Sequence, residues 1–142
     1  MYANLKILNV LAENESTSVY LVVEKYTSFL YCLKKTELKQ SEEKKNQNIL
    51  DSLIRESKIG MCLDHPLLIK TYCTLLDNRN IYQLMEFVEG STLQELSRDI
   101  KKHAVKQEKP VYSISAIKEV LSQLLEAINY LHDKKIAHRD LK

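Results

Sequence analysis

Ile136-Ala137-His138-Arg139-Asp140-Leu141-Lys142 sets one carboxylate between two cations in a short, largely apolar run. The segment before it repeats Ile117, Leu121, Leu124, Ile128 and Leu131 at spacings of four, three, four and three. That is the apolar stripe of a helix from about Ser115 to His132. Asp133-Lys134-Lys135 then turns the chain into the quoted run. Charges of both signs at a helix exit suit chemistry on an anionic substrate better than they suit packing, because a buried unpaired carboxylate is costly. The reading of this stretch decides what the upstream chain has to supply.

A chain of 142 residues that is 44% hydrophobic and 28% charged is long enough to bury a core. A net charge of +2 gives no argument for nucleic acid or a membrane surface. Cys32, Cys62 and Cys73 are odd in number and lack metal-ligand spacing. Each lies in an apolar run, which predicts buried free thiols in a reducing compartment. The start has no signal-peptide core, and no apolar run approaches membrane-spanning length, so the expected location is cytoplasmic.

Residues 4–11 and 17–25 are short and rich in β-branched and aromatic side chains. They read as strands joined by the polar turn Ala12 to Ser16. A turn at Tyr26-Thr27-Ser28 leads to a third strand over 29–34. Residues 37–48 are polar and read as a solvated loop or a frayed helix start. From Ile49 the period changes: Ile49, Leu53, Glu56, Gly60 and Leu63 share one helix face. Glu56 is thus a carboxylate on the face meant for burial, and it demands a cation. Asp64-His65-Pro66 ends that helix. Residues 69–76 and 80–87 form a hairpin around Asp77-Asn78-Arg79. Gly90 breaks the run, and Ser91-x-x-Gln94 or Thr92-x-x-Glu95 serves as a capping box for the next helix. Lys101–Lys109, with four lysines and one glutamate, reads as a solvated helix end and loop. No internal repeat or long linker is visible.

Five strands with a helix after the third, then two helices and His138-Arg139-Asp140-Leu141-Lys142, resemble the eukaryotic protein kinases of Ser/Thr type. The resemblance implies an α+β fold. Residues 4–87 would form an amino-terminal lobe, a five-stranded antiparallel sheet plus one helix. Residues 88–142 would form the hinge and the first two helices of a helical lobe, incomplete. Tyr31-Cys32-Leu33-Lys34 is similar to the third-strand motif whose lysine grips the α- and β-phosphates of ATP, and Glu56 to its ion-pair partner. Leu84 to Gly90 resembles the hinge, with adenine recognised by backbone groups at Glu86 and Val88 and Met85 as the gatekeeper side chain. Leu11, Val19 and Cys32 would roof the base, and Thr92 falls near the ribose position. Asp140 would orient the hydroxyl of a protein substrate and accept its proton, and Lys142 would neutralise γ-phosphate charge. Arg139 matches the arginine that pairs with a phosphorylated activation loop, and His138 would be a packing residue. The lysine-rich insert is loosely similar to that of NIMA-related kinases.

The sequence also departs from the family pattern. Ala12, Asn14 and Thr17 stand where the family has three loop glycines, which adopt positive φ freely and let amides approach phosphates. Asn tolerates that geometry, Ala less, and Thr poorly. Glu13 and Glu15 add negative charge, at roughly 3–4 kcal/mol per like-charge contact near 4–6 Å unless they turn to water. The metal-binding Asn would fall after Lys142, so the resemblance implies that the Mg²⁺ ligands lie outside this chain and that these residues alone are inactive. The function expected of the complete domain is phosphoryl transfer from ATP to protein Ser/Thr hydroxyls. The alternative is a kinase-like binding or scaffold module with weak or no nucleotide binding.

Overall fold

A computed structural model describes residues 4–38, 43–104 and 113–141. Two compact units divide the chain, Met1–Val88 and Glu89–Lys142. In the first, strands β1 (Leu5–Glu13), β2 (Thr17–Glu24), β3 (Leu30–Glu37), β4 (Thr71–Leu76) and β5 (Asn80–Glu86) build one antiparallel sheet in the order β1-β2-β3-β5-β4. Helix α1 (Glu43–Cys62) lies between β3 and β4 in sequence.

One element runs further than the residue pattern predicts, and for another the structure chooses between two readings. β3 continues past Lys34 because Thr36 and Glu37 find partners in Ile81 and Asn80 of β5, a gain that exists only once the sheet is assembled. α1 begins at Glu43, so of the two readings of the polar stretch the helix start holds from there on. Its first turns carry no apolar periodicity, but Glu, Lys and Gln lose little rotamer freedom in a helix and extend it at low cost.

Side-chain oxygens, rather than glycines, close the hairpins. Asn14 Oδ1 accepts the amides of Ser16 at 3.2 Å and Thr17 at 2.8 Å, while the Asn14 amide donates to the Thr17 carbonyl. Between β2 and β3, Glu24 Oε2 accepts from the amides of Tyr26 and Thr27 and from the Thr27 hydroxyl. Asp77 Oδ1 does the same for Arg79 and Asn80 between β4 and β5. Ser28, at φ 61°, is the one left-handed residue in these turns.

Cross-strand partners in an antiparallel sheet share a face. Val22, Leu33 and Leu84 are buried together, with Leu5, Tyr20, Tyr31, Cys73 and Tyr82 packed on them. By register, this core lies on the opposite face from Lys34, Gln83 and Thr74, the face that meets α1. The helix reaches β4 through small and polar groups. Buried Ser57 hydrogen-bonds Thr74, and a Cβ on Gly60 would lie 2.6 Å from Thr71 Oγ1. The three cysteines form no disulfide, but the expected burial is incomplete: Cys62 is exposed and Cys32 and Cys73 are half-buried. Cys62 ends α1, beyond the face that packs.

In the second unit, α2 (Leu93–Ala104) starts on the Thr92 capping frame. The Thr92 amide donates to Glu95 Oε2 at 2.8 Å, and the Glu95 amide donates to Thr92 Oγ1 at 3.2 Å. The expected loop over 105–109 lies outside the described residues. Helix α3 (Ile114–Asp133) is capped by Ser113, whose hydroxyl accepts from the Ala116 amide at 3.1 Å. Of its stripe, Leu131 is buried and Ile128 half-buried, whereas Ile117, Leu121 and Leu124 are exposed. Its end is a Schellman motif. The Ile136 amide donates to Leu131 O and the Lys135 amide to His132 O, with Lys135 at φ 61° in the place glycine usually takes.

Two outcomes follow from these contacts. Gly60→Ala would gain about 1 kcal/mol of helix propensity but lose about 1–3 kcal/mol to crowding by Thr71. In a Thr71→Ala background the same substitution should stabilise, and a double-mutant cycle by urea unfolding measures the coupling; additive effects would refute the contact. Separately, Glu24, Asp77 and Glu95 are held below the ordinary carboxylate range. The Thr27 hydroxyl is the leading cause for Glu24, the Arg79 amide for Asp77 and the Thr92 amide for Glu95. Lowered folded values mean that their contribution is intact above the ordinary range and is lost as pH falls through it towards the folded values. Urea midpoints should drop over that window. Glu24→Gln with Asp77→Asn should flatten the drop, and an unchanged slope would count against these caps.

Candidate functional site

Strand register assembles most of the expected site on one face of the first unit. Val19 pairs with Lys34, Leu21 with Cys32, and Cys32 with Met85. Val19, Cys32, Lys34 and Met85 therefore share the face that meets α1. Leu11 falls in an irregularity between Val10 and Ala12, without a partner in the β1–β2 register, and is 44% exposed. Burial pushes the Cys32 thiol up, against the opposing charge of Lys34. It stays protonated at neutral pH and behaves as a small hydrophobe.

Lys34 Nζ lies 3.6 Å from Glu56 Oε1. The pairing is the expected one, but its setting differs. The Glu56 side chain is 60% exposed and that of Lys34 28% exposed, so Glu56 is not the buried carboxylate that helix periodicity implied. The residues of α1 that press on β4 are Ser57 and Gly60. Glu56 stands beside that contact, at the rim. A pair this exposed contributes about 0–1 kcal/mol to stability. Its effect is geometric: it holds an ammonium group over a face lined by Val19, Cys32 and Met85.

At the end of β5 the chain is tied back to β4. The Glu86 amide donates to the Lys70 carbonyl at 2.8 Å, and the Lys70 amide donates to Glu86 Oε2 at 3.2 Å. Lys70 Nζ also reaches Leu63 O and Asp64 Oδ1, behind α1. Val88 follows, 60% exposed. One residue of this face escaped the sequence reading. Gln83 is 3% exposed and stands opposite Lys34 and Thr74. The signal was present: the alternation Ile81, Gln83, Met85 puts an amide at an inward strand position.

The turn from β1 to β2 does not take the left-handed geometry that three glycines would serve. None of residues 12–17 has positive φ; among the described non-glycine residues only Ser28, Lys135 and Arg139 do. Ala12 and Thr17 are therefore unstrained, and Asn14 acts through its side chain rather than through an unusual backbone.

In the second unit, His138 is exposed rather than packed, and its Nδ1 accepts the Asp140 amide at 3.2 Å. Lys135 before it and Arg139 after it are both left-handed, at φ 61°. Asp140 is exposed, and Lys142 lies outside the described residues. The Thr92 hydroxyl, expected near a ribose, is engaged in its capping box. Among the described residues no three His, Cys, Asp or Glu side chains are grouped to hold a metal ion. No helix among them is long and apolar enough to cross a membrane.

The family model for the protein kinase domain matches residues 5–142. An Aurora kinase of Candida glabrata is 33% identical over 132 residues, 93% of this chain and 34% of that protein. The serine/threonine-protein kinase PknD of Chlamydia muridarum is 27% identical, over 96% of this chain and 15% of that protein. The crystal structure of Rad53 1-466 in complex with AMP-PNP superposes with a TM-score of 0.72 at 25% identity, covering 99% of this chain and 33% of that one. The chain spans about a third or less of the length of these relatives.

Because the Glu56 end of the pair is open to solvent, breaking the pair by Glu56→Gln or Lys34→Met should change unfolding free energy by less than about 1 kcal/mol. Denaturant titration checks this. A loss of several kcal/mol would mean that the pair holds α1 in place.

Proposed function

The chain belongs to the eukaryotic-type protein kinase family, and from that membership we propose that the complete protein transfers the γ-phosphoryl group of ATP to Ser or Thr hydroxyls of a protein substrate. The observation that carries this reading is Lys34 held 3.6 Å from Glu56, on the sheet face that also bears Val19, Cys32 and Met85. A fixed cation beside an apolar surface is what a nucleotide needs, with an anionic tail and a flat, mostly apolar base.

In this reading Leu11, Val19 and Cys32 cover the base, with Met85 behind it. The Glu86 amide is already bonded to Lys70, which leaves the Glu86 carbonyl and the Val88 backbone to meet the adenine edge. Lys34 takes the α- and β-phosphates, and Glu56 keeps its ammonium from following the solvent. Asp140 accepts the proton of the substrate hydroxyl as the new P–O bond forms, and Lys142 offsets charge on the transferred group. The match of a serine/threonine-protein kinase and the AMP-PNP complex of the Rad53 structure support the choice of hydroxyl and nucleotide.

The test is transfer of labelled phosphate to Ser/Thr peptides by the full-length protein. Asp140→Asn should lower kcat by about 100-fold or more, and Lys34→Met should lower both nucleotide binding and transfer. Transfer that survives both substitutions would defeat the assignment.

A further inference from the structure

Phosphate-cradling loops work by turning several backbone N–H groups outwards to one anion. The turn between β1 and β2 turns them inwards. The amides of Ser16 and Thr17 both end on Asn14 Oδ1, and the amide of Asn14 ends on the Thr17 carbonyl. The Ser16 carbonyl is fixed in turn by the Glu37 amide at the end of β3, so the turn is anchored to the same strand that carries Lys34. What the turn exposes to solvent is the pair of side chains Glu13 and Glu15. Glu13 is within reach of the Ser18 hydroxyl at 3.3 Å, and neither carboxylate is drawn to a cation of the turn, which has none.

We propose that Asn14 is a specificity-determining residue. By occupying the Ser16 and Thr17 amides, it keeps the β1–β2 turn from binding the phosphates of a nucleotide, and the site therefore selects for the adenosine moiety far more than for the triphosphate. This rests on the reading that the Lys34 face binds ATP. The phosphates are then held from one side only, by Lys34. Both glutamates oppose them, and the base and ribose supply most of the affinity. The consequence for the reaction is a weak ground-state grip on ATP, with a correspondingly high KM.

The experiment compares adenosine with ATP by calorimetry on the full chain, for the native sequence, Asn14→Gly and Asn14→Ala. Adenosine touches no phosphate contact, so its binding reports an intact base pocket in each variant. Freeing two amides should raise the ATP-to-adenosine affinity ratio about tenfold, the scale of one charge-assisted hydrogen bond, with adenosine affinity unchanged. A ratio that stays constant or falls in both variants, while adenosine still binds, overturns the role of Asn14 and leaves the nucleotide reading standing. Failure of the native protein to bind either compound sinks the nucleotide reading itself, and this inference with it.

Discussion

Everything in the first unit depends on strand register, and register here is set by side-chain oxygens that accept backbone amides. A one-residue slip would move Lys34 to the opposite face of β3. The chain has two glycines in all, and neither lies in a hairpin. Asn14, Glu24 and Asp77 instead fix the three turns by accepting two amides each. Two of the three acceptors are carboxylates, so the geometry that places the ammonium of Lys34 is itself a titratable property. The first turn, closed by a neutral amide, is the exception, and it is the turn nearest the proposed phosphates.

The sheet separates two tasks. One face carries the apolar core of Val22, Leu33 and Leu84, ringed by Tyr20, Tyr31 and Tyr82. The other carries Lys34, Gln83, Thr74 and Thr71 and receives α1. Apolar burial contributes about 25 cal/mol per Å², whereas an exposed ion pair contributes little. Apolar burial is nevertheless found on both faces, because Ile81, at 2% exposed, shares the face of Lys34 and Gln83.

The strands, the hairpins and the capping box were legible because each has a local cause: alternation, turn chemistry, or reciprocal hydrogen bonds over three residues. Thr92 outcompeted Ser91 for a reason also present in the sequence, since its partner Glu95 is charged and Gln94 is not. The pairing of Lys34 with Glu56 was legible too, but its burial was not. Periodicity gives the direction of a side chain on α1, not how much of the neighbouring sheet lies beneath it. The first turns of α1 stayed undecided between loop and helix because polar helix formers carry no period. Asn14 was read as an imperfect substitute for glycine. Its actual means, an oxygen aimed at its own turn, replaces backbone freedom with a side-chain hydrogen bond, and a pattern of missing glycines does not distinguish the two.

The small, polar seam between α1 and β4 has a dynamic meaning. Displacing a helix that is seated in an apolar core exposes that core. Here displacement first breaks the Ser57–Thr74 hydrogen bond and the Lys34–Glu56 pair, each of about 1 kcal/mol or less, while the cluster of Val22, Leu33 and Leu84 lies on the other face of the sheet. Opening at this seam leaves that cluster in place, and it belongs below global unfolding in the local-stability range. Amides of β2 and β3 would exchange with solvent on the timescale of unfolding, and those of α1 far sooner.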